Sequence, residues 1–336
     1  MPSLKYLFAA GSSILFFYLL LSRHQMSETS SAFSGAALGI SLAADHGTVS
    51  TRQRDGTFQD IGRVDGDASY IALVKRLSQV QTRHPSPPYD TMDDQWNDQP
   101  RQLWRKVRKS IGLPASSEVA ALSSFLQKLV QLAGPCNSVI ISYPALPGLY
   151  QEDIADSASY LNLLMPAGNH RYPPHEIVAA YAGHGMGLCK SFTNKDQCRK
   201  EGLELPVRPT LLAEGTETAV IFHVASMREA IDLASSDLDL SISSGLGSPD
   251  AKFIPQHVAQ LLRKRYDRLP ERPKTITVIL TGTKWEGFQT AIKQGVEEAG
   301  FEAQILSANA EFVAARGAAE LAWRARSLQN GDPEEL

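Results

Sequence analysis

Apolar and polar positions alternate just after residue 35. There "AALGISLA", "GTVSTRQ" and "FQDIGRV" read as strands, with a hairpin turn at Asp55-Gly56. From Asp67 the period lengthens. Ile71, Val74 and Leu77 share a face of "ASYIALVKRLSQV", and Asp67 is placed to cap that helix. Residues 82–100, "TRHPSPPYDTMDDQWNDQP", are dense in proline and aspartate and are expected to form a long loop. Helices are expected around 101–111 and 116–133, then a buried strand in "NSVIISYPA" with the amphipathic helix "LYQEDIADSASYLNLL" behind it. A strand pair at 208–225 leads through mixed structure at 226–249 to a helix at 252–267. The strand "TITVILTG", a helix ending at Gly300 and a short strand "EAQIL" follow. Hairpins early and βα units late predict an α/β chain of two lobes, with no internal sequence repeat.

Glu311–Trp323, "EFVAARGAAELAW", gathers Ala314, Ala315, Gly317, Ala318 and Ala319 into one helical segment. Glycine inside a helix costs about 1 kcal/mol relative to alanine. Close approach by a second backbone offsets that cost. His175–Gly185, "HEIVAAYAGHG", carries a matching group in Ala179, Ala180, Ala182 and Gly183. The two segments are expected to cross, with Gly183 and Gly317 near the contact.

Composition narrows the function classes. The chain has 336 residues, 43% hydrophobic, with a formal net charge of −3, so it has room for two lobes and no nucleic-acid footprint. Arg263-Lys264-Arg265 reads as the solvated end of a helix. Three cysteines make no disulfide scaffold. Cys189 and Cys198 read as isolated thiols, or as a pair if that region lies in a lumen. A zinc set drawn from His184, Cys189 and Cys198 with His170 or His175 matches no standard spacing. "GHGMGLC" follows a helix and not a strand, which removes a dinucleotide reading, and no G-x-S-x-G elbow is present. Residues 1–24 stand apart: Tyr6–Leu21 is uncharged and has no near cleavage site. It is expected to act as a signal anchor, with residues 25–35 as a tether; a cleaved signal and a buried soluble helix are the alternatives. A single-pass protein of the endomembrane system follows from the anchor, with its orientation open.

Five segments carry a resemblance to a family. "EIVAAYAGHG" is similar to "EPTAAAIAYG" of the 70-kDa heat-shock chaperone ATPase domain, and "EFVAARGAAELAW" resembles that family's "VARGAAxxA". "LGISLAADHGTVS" resembles its first phosphate loop, G-I-D-L-G-T-T. "NSVIISYPALPGLYQEDIADSA" resembles "ITVPAxFxxxQRxAxxxAA", and "TVILTGTKWEGFQTAI" resembles the adenosine segment "VxLVGGSxRxPxVxxxI". The resemblance covers roughly residues 36–328 and implies a divergent, fungal-type actin-like ATPase. Its two-lobed ribonuclease H-like fold would have trimmed outer subdomains and no peptide-binding half. It implies lobe I over about 36–185 plus a C-terminal helix at 309–328, lobe II over about 206–308, and a tail at 329–336. The small-residue helices would cross at the hinge between lobes.

The same resemblance implies an ATP and Mg²⁺ site that this chain has altered. Ser41 stands where a carboxylate would organise Mg²⁺, and Ala43 where a glycine would let backbone approach phosphate. Asp45 is a candidate replacement acid or a turn residue, followed by Gly47 and Thr48. The second phosphate loop, D-L-G-G-G-T, is matched by "LLAEGTETAVIF". Ala213 falls in it, only Gly215 survives beside Thr216, and Glu214 or Glu217 would replace the aspartate. In the adenosine segment Gly282 remains, Thr283 replaces the second glycine, and Lys284 either contacts phosphate or is solvated. The vestigial site is thus Asp45, Gly47, Thr48, Glu214, Gly215, Thr216, Gly282 and Thr283. The expected function is that of a degenerate, membrane-tethered interaction or scaffold module for an unidentified protein partner. An active ATPase or small-molecule kinase is the alternative.

Overall fold

The computed structural model describes residues 36–134, 138–165, 173–230, 241–243, 253–283 and 287–330. The Tyr6–Leu21 segment, Cys136, His170 and Lys284 lie outside them. Strands β1 (Ala37–Leu42), β2 (His46–Arg52) and β3 (Phe58–Asp65) form an antiparallel meander, and β4 (Val139–Ser142) adds parallel to β1, giving the order β3-β2-β1-β4. Gly56 takes φ +84° at the expected turn, a conformation open to glycine without a Cβ penalty. Four helices belong to this half among the described residues: α1 (Ala68–Leu77), α2 (Met92–Ser110), α3 (Ser117–Ala133) and α4 (Gln151–Tyr160). Asp67 caps α1 by accepting from the Tyr70 N–H. Leu73, Leu77, Phe125 and Leu129 from α1 and α3 pack against Ile40, Leu42, Val49 and Ile141 of the sheet.

Helices α5 (Glu176–Gly183) and α6 (Lys195–Glu204) lead to a second sheet. It contains β5 (Arg208–Gly215), β6 (Val220–Met227), β7 (Ser241–Ser243), β8 (Thr275–Gly282) and β9 (Glu302–Leu306), in the order β7-β6-β5-β8-β9. β6 is antiparallel to its neighbours, and β8 runs parallel to β5, as β4 does to β1. The two sheets therefore share one plan, a meander extended by a parallel strand, although no sequence repeat announces it. Helices α7 (Ile254–Tyr266) and α8 (Phe288–Glu298) cover this sheet with Val258, Leu262, Phe288 and Ile292.

The last helix, α9 (Val313–Asn330), crosses α5 as the small residues require. A Cβ on Gly317 would overlap the Ala179 carbonyl oxygen, and one on Gly183 would overlap the Val313 carbonyl. The small residues of α9 serve a second approach on another side of the helix: a Cβ on Gly39 of β1 would overlap the Ala315 carbonyl. Ile177, Tyr181, Leu321 and Trp323 close the core around the crossing.

One expectation needs correction, and one open alternative is settled. Residues 82–100 are not one loop, because α2 begins at Met92. The Thr91 hydroxyl accepts from the Asp94 N–H at 3.1 Å, and Asp93 and Asp94 occupy the first turn, where the helix dipole favours them. Pro100 sits inside the helix, at a typical cost of ~3 kcal/mol or more. The helix persists because it is bound sideways: Arg105, itself buried, lies 2.8 Å from both Asp153 and Asp156 of α4. The second point settles an open alternative: of isolated thiols and a pair, Cys189 and Cys198 form the pair, a disulfide. The Asn194 side chain caps α6 and turns the chain back, leaving the two Cα atoms 5.1 Å apart, within bridging range. Neither sulfur is then available as a zinc ligand. Among the described residues no helix is long and apolar enough to cross a membrane.

Candidate functional site

The turns β1–β2 and β5–β6 face each other across the gap between the sheets, at the ends where the resemblance places phosphate. In the first turn the Ala43 N–H donates to the His46 carbonyl at 2.8 Å, and the Tyr70 hydroxyl donates to the Ala43 carbonyl at 2.7 Å. The next amide, Ala44 N–H, donates across the gap to Glu214 Oε1 at 2.6 Å. Asp45 reaches the other way. Its Oδ2 accepts from the Glu217 N–H at 3.1 Å and from the Thr218 hydroxyl at 3.3 Å, while Oδ1 lies 2.6 Å from His46 Nδ1. Burial pushes the Asp45 carboxyl up, but the His46 hydrogen bond and the charges of His46 and Arg63 hold it below its usual value.

The second turn is satisfied internally. The Thr216 N–H donates to the Ala219 carbonyl at 3.0 Å, and the Thr218 and Ala219 N–H groups donate to Thr216 Oγ1 at 3.3 and 3.0 Å. With Glu217 bound to Asp45, every amide from Thr216 to Ala219 has a protein acceptor. A phosphate cradle works by presenting free, convergent N–H groups. Here those donors are taken, the Glu217 and Ala44 amides by carboxylates of the opposite turn.

Behind the turns lies a buried acid pair. Glu214 is the penultimate residue of β5 and Glu176 opens α5; they are 0% and 2% exposed and interact directly. Burial, then the Glu176 charge, raises Glu214 well above the ordinary carboxylate value, and burial raises Glu176 to about 7. Two such groups in a low-dielectric site cannot both ionise readily, so the pair holds a proton at neutral pH. Thr281 lies against Glu176, and among the described residues His175 Nδ1 and His223 Nε2 have no hydrogen-bond partner. The His175 and His223 rings meet edge to face at 5.7 Å. Burial lowers them to about 4 and about 3, the latter with help from His175, so both are neutral near pH 7. A cavity of ≈730 Å³ between the proline-rich segment and α4 meets this cluster at Tyr143 and His175.

The expected site residues divide accordingly. Asp45, Glu214 and Thr216 converge, as just described. Gly47 and Thr48 lie within β2; Gly47 makes room for Leu129 of α3, and Thr48 pairs with Ser41 in the sheet. Gly215 and Gly282 pair between β5 and β8, where a Cβ on Gly282 would overlap the Gly215 carbonyl. Thr283 follows β8, and its hydroxyl has no hydrogen-bond partner among the described residues. Ser41 and Ala213 are buried strand residues. Sequence reasoning missed Glu176 and Thr218. The signal for Glu176 was present, since a glutamate heads both "EIVAAYAGHG" and the family segment it resembles.

No family model matches the chain, and no curated protein matches it. Solved structures do resemble it. A non-polymerising mutant of MamK bound to AMPPNP is 10% identical over 86% of this chain and 99% of its own, with a TM-score of 0.40. A ROK family glucokinase from Streptomyces griseus, in complex with glucose and AMPPNP, is 9% identical over 86% and 100%, with a TM-score of 0.39. The inorganic polyphosphate/ATP-glucomannokinase from Arthrobacter sp. strain KM is 11% identical over 86% and 99%, with a TM-score of 0.41. The likeness is one of fold alone. Paired sheets of one plan and the crossing of α5 with α9 make this a two-lobed α/β fold. The narrower likeness to 70-kDa chaperones stays with the sequence motifs.

Proposed function

We propose that the chain is a membrane-tethered, degenerate actin-like ATPase domain that works as an interaction or scaffold module, binding nucleotide weakly or not at all. The observation that supports this most is the occupation of the phosphate-loop amides by the chain's own carboxylates: Ala44 N–H by Glu214 and Glu217 N–H by Asp45. A phosphate would have to displace both, against the like charge of Asp45. Losing one well-placed donor commonly costs about 2–4 kcal/mol of transition-state stabilisation. Several losses together leave turnover near background. As arranged, these residues do not fit Mg²⁺-ATP.

The competing reading is an active ATPase or small-molecule kinase of the same fold. It draws support from the Glu176–Glu214 pair, since two carboxyls freed of their proton would offer oxygen ligands to a divalent cation. Phosphate release from ATP by the full-length chain separates the two. A rate equal to that of heat-denatured protein upholds the scaffold, whereas steady turnover lost in Glu176→Gln makes the protein an enzyme.

Tethering is assigned to Tyr6–Leu21, and the Cys189–Cys198 bridge favours the oxidising side of the membrane for the folded region. The N-terminus would then face the cytosol. Full-length protein should stay with membranes through carbonate extraction, with its folded region protected from added protease in sealed vesicles. Recovery in the soluble fraction would rule out the anchor.

A further inference from the structure

Helix α2 is amphipathic in the reverse sense. Its inward face is charged, with Asp98 and Arg105 buried against α4, where Arg101 lies 2.5 Å from Glu152 and Lys109 2.7 Å from Asp156. Its outward face carries an apolar stripe, interrupted at Gln99 and Pro100. Met92, Trp96, Leu103, Val107 and Ile111 recur at intervals of four or seven residues, and Trp104 extends the stripe. These side chains are not grazing the surface: Trp96 and Trp104 are each 61% exposed and Leu103 is 65% exposed. Contiguous apolar exposure of this kind marks a contact surface.

We propose that this face of α2 rests in the interfacial layer of the membrane to which the chain is tethered. The inference rests on the anchored reading for its geometry. From Ser22 to Ala36, fifteen residues join the apolar segment to β1. Fully extended they span at most ~54 Å, so the end of the fold where the chain enters β1 is held within that reach of the bilayer. The tethered end is also the correct end. β4 runs parallel to β1 with Leu38 opposite Val139, and the chain after α4 returns so that Leu164 accepts from the Val139 N–H. α2 runs alongside α4 in the same direction, Arg105 meeting Asp153 and Lys109 meeting Asp156. Val107 and Ile111 therefore point toward the end of the sheet where the tether enters. The stripe forms a ridge and not a groove, and two tryptophans with leucine and valine suit the headgroup boundary. Because the tether makes contact intramolecular, even weak insertion is populated. Lys106 is the exposed cation beside the stripe, which gives only a slight preference for anionic lipid.

The test is tryptophan fluorescence of the full-length chain reconstituted in phosphatidylcholine vesicles, with and without lipids brominated near the headgroup end of the acyl chains. Emission should be quenched by the brominated lipid. Quenching should fall in Trp96→Phe/Trp104→Phe and be lost in Leu103→Asp/Val107→Asp, whose thermal midpoint and carbonate-resistant retention stay those of the wild type. Equal emission in both vesicles would overturn the proposal, even with the anchor intact. So would quenching that survives in Leu103→Asp/Val107→Asp. Self-association through this face, abolished by the same pair of substitutions while brominated lipid leaves emission unchanged, would assign it to a second copy and overturn it too. Quenching at neutral pH in protein that carbonate releases would instead refute the anchor and uphold the α2 contact.

Discussion

Glu176 and Glu214 show how burial turns an acidic pair into a proton store. Both hold their protons to higher pH folded than unfolded, so between pH 4.5 and about 7 the folded chain binds more protons than the unfolded one. The stability conferred by the proton is complete below the unfolded value and is lost as pH rises through the folded one. His175 and His223 act in the opposite sense. Their values fall below the ordinary 6.5, so they remove stability as pH drops from 6.5 toward about 4. A comparison of wild type with Glu176→Gln cancels the histidine contribution. The two unfolding free energies should differ least near pH 4.5 and diverge in favour of the variant up to about pH 7. The divergence should be on the order of 3 kcal/mol. A difference independent of pH in thermal unfolding would mean that Glu176 is not held protonated. Asp45 is the contrasting residue: also buried, but drawn down by His46 and Arg63, it stays charged and is fixed by the Glu217 amide.

At the level of elements, the crossing of α5 and α9 was legible because small residues at helical spacing are a local pattern with one physical reason. The packing is tighter than spacing alone implies, since Gly39 of β1 approaches α9 at Ala315, Ala318 and Ala319, about half a turn round the helix from Gly317. Gly317→Ala should destabilise the fold by about 1–3 kcal/mol through overpacking, despite alanine's better helix propensity. Denaturation midpoints unchanged from wild type would contradict the close approach. Helix α2 was illegible for an equally physical reason. Proline and aspartate weigh against helix locally, and its stability comes from Arg105, Asp153 and Asp156, which are distant in sequence. Arg105→Met strands Asp153 without its cation and should cost about 3–5 kcal/mol, largely recovered when Asp153→Leu is added. If the single variant proves as stable as wild type, the buried pair does not hold α2 in place. The disulfide was left open by the sequence because pairing depends on the turn that Asn194 makes, not on cysteine count.

For the whole molecule, the five ordered motifs made the two-lobed fold readable, but the state of the cleft was not. Motif substitutions predicted altered phosphate contacts. They did not reveal that Glu214 and Asp45 cross between the lobes and use the opposite loop's amides. That closure joins β1–β2 to β5–β6 directly and makes the lobes one interacting surface without nucleotide. Calorimetric titration of the full-length chain in detergent micelles with Mg²⁺-ATP, beside Asp45→Ala, tests this most directly. The expected result is affinity no better than roughly millimolar, about −4 kcal/mol, for wild type, and no weaker binding for Asp45→Ala, which frees the Glu217 amide. Micromolar binding by wild type that disappears in Asp45→Ala would show that Asp45 serves the nucleotide, and would contradict the closed cleft.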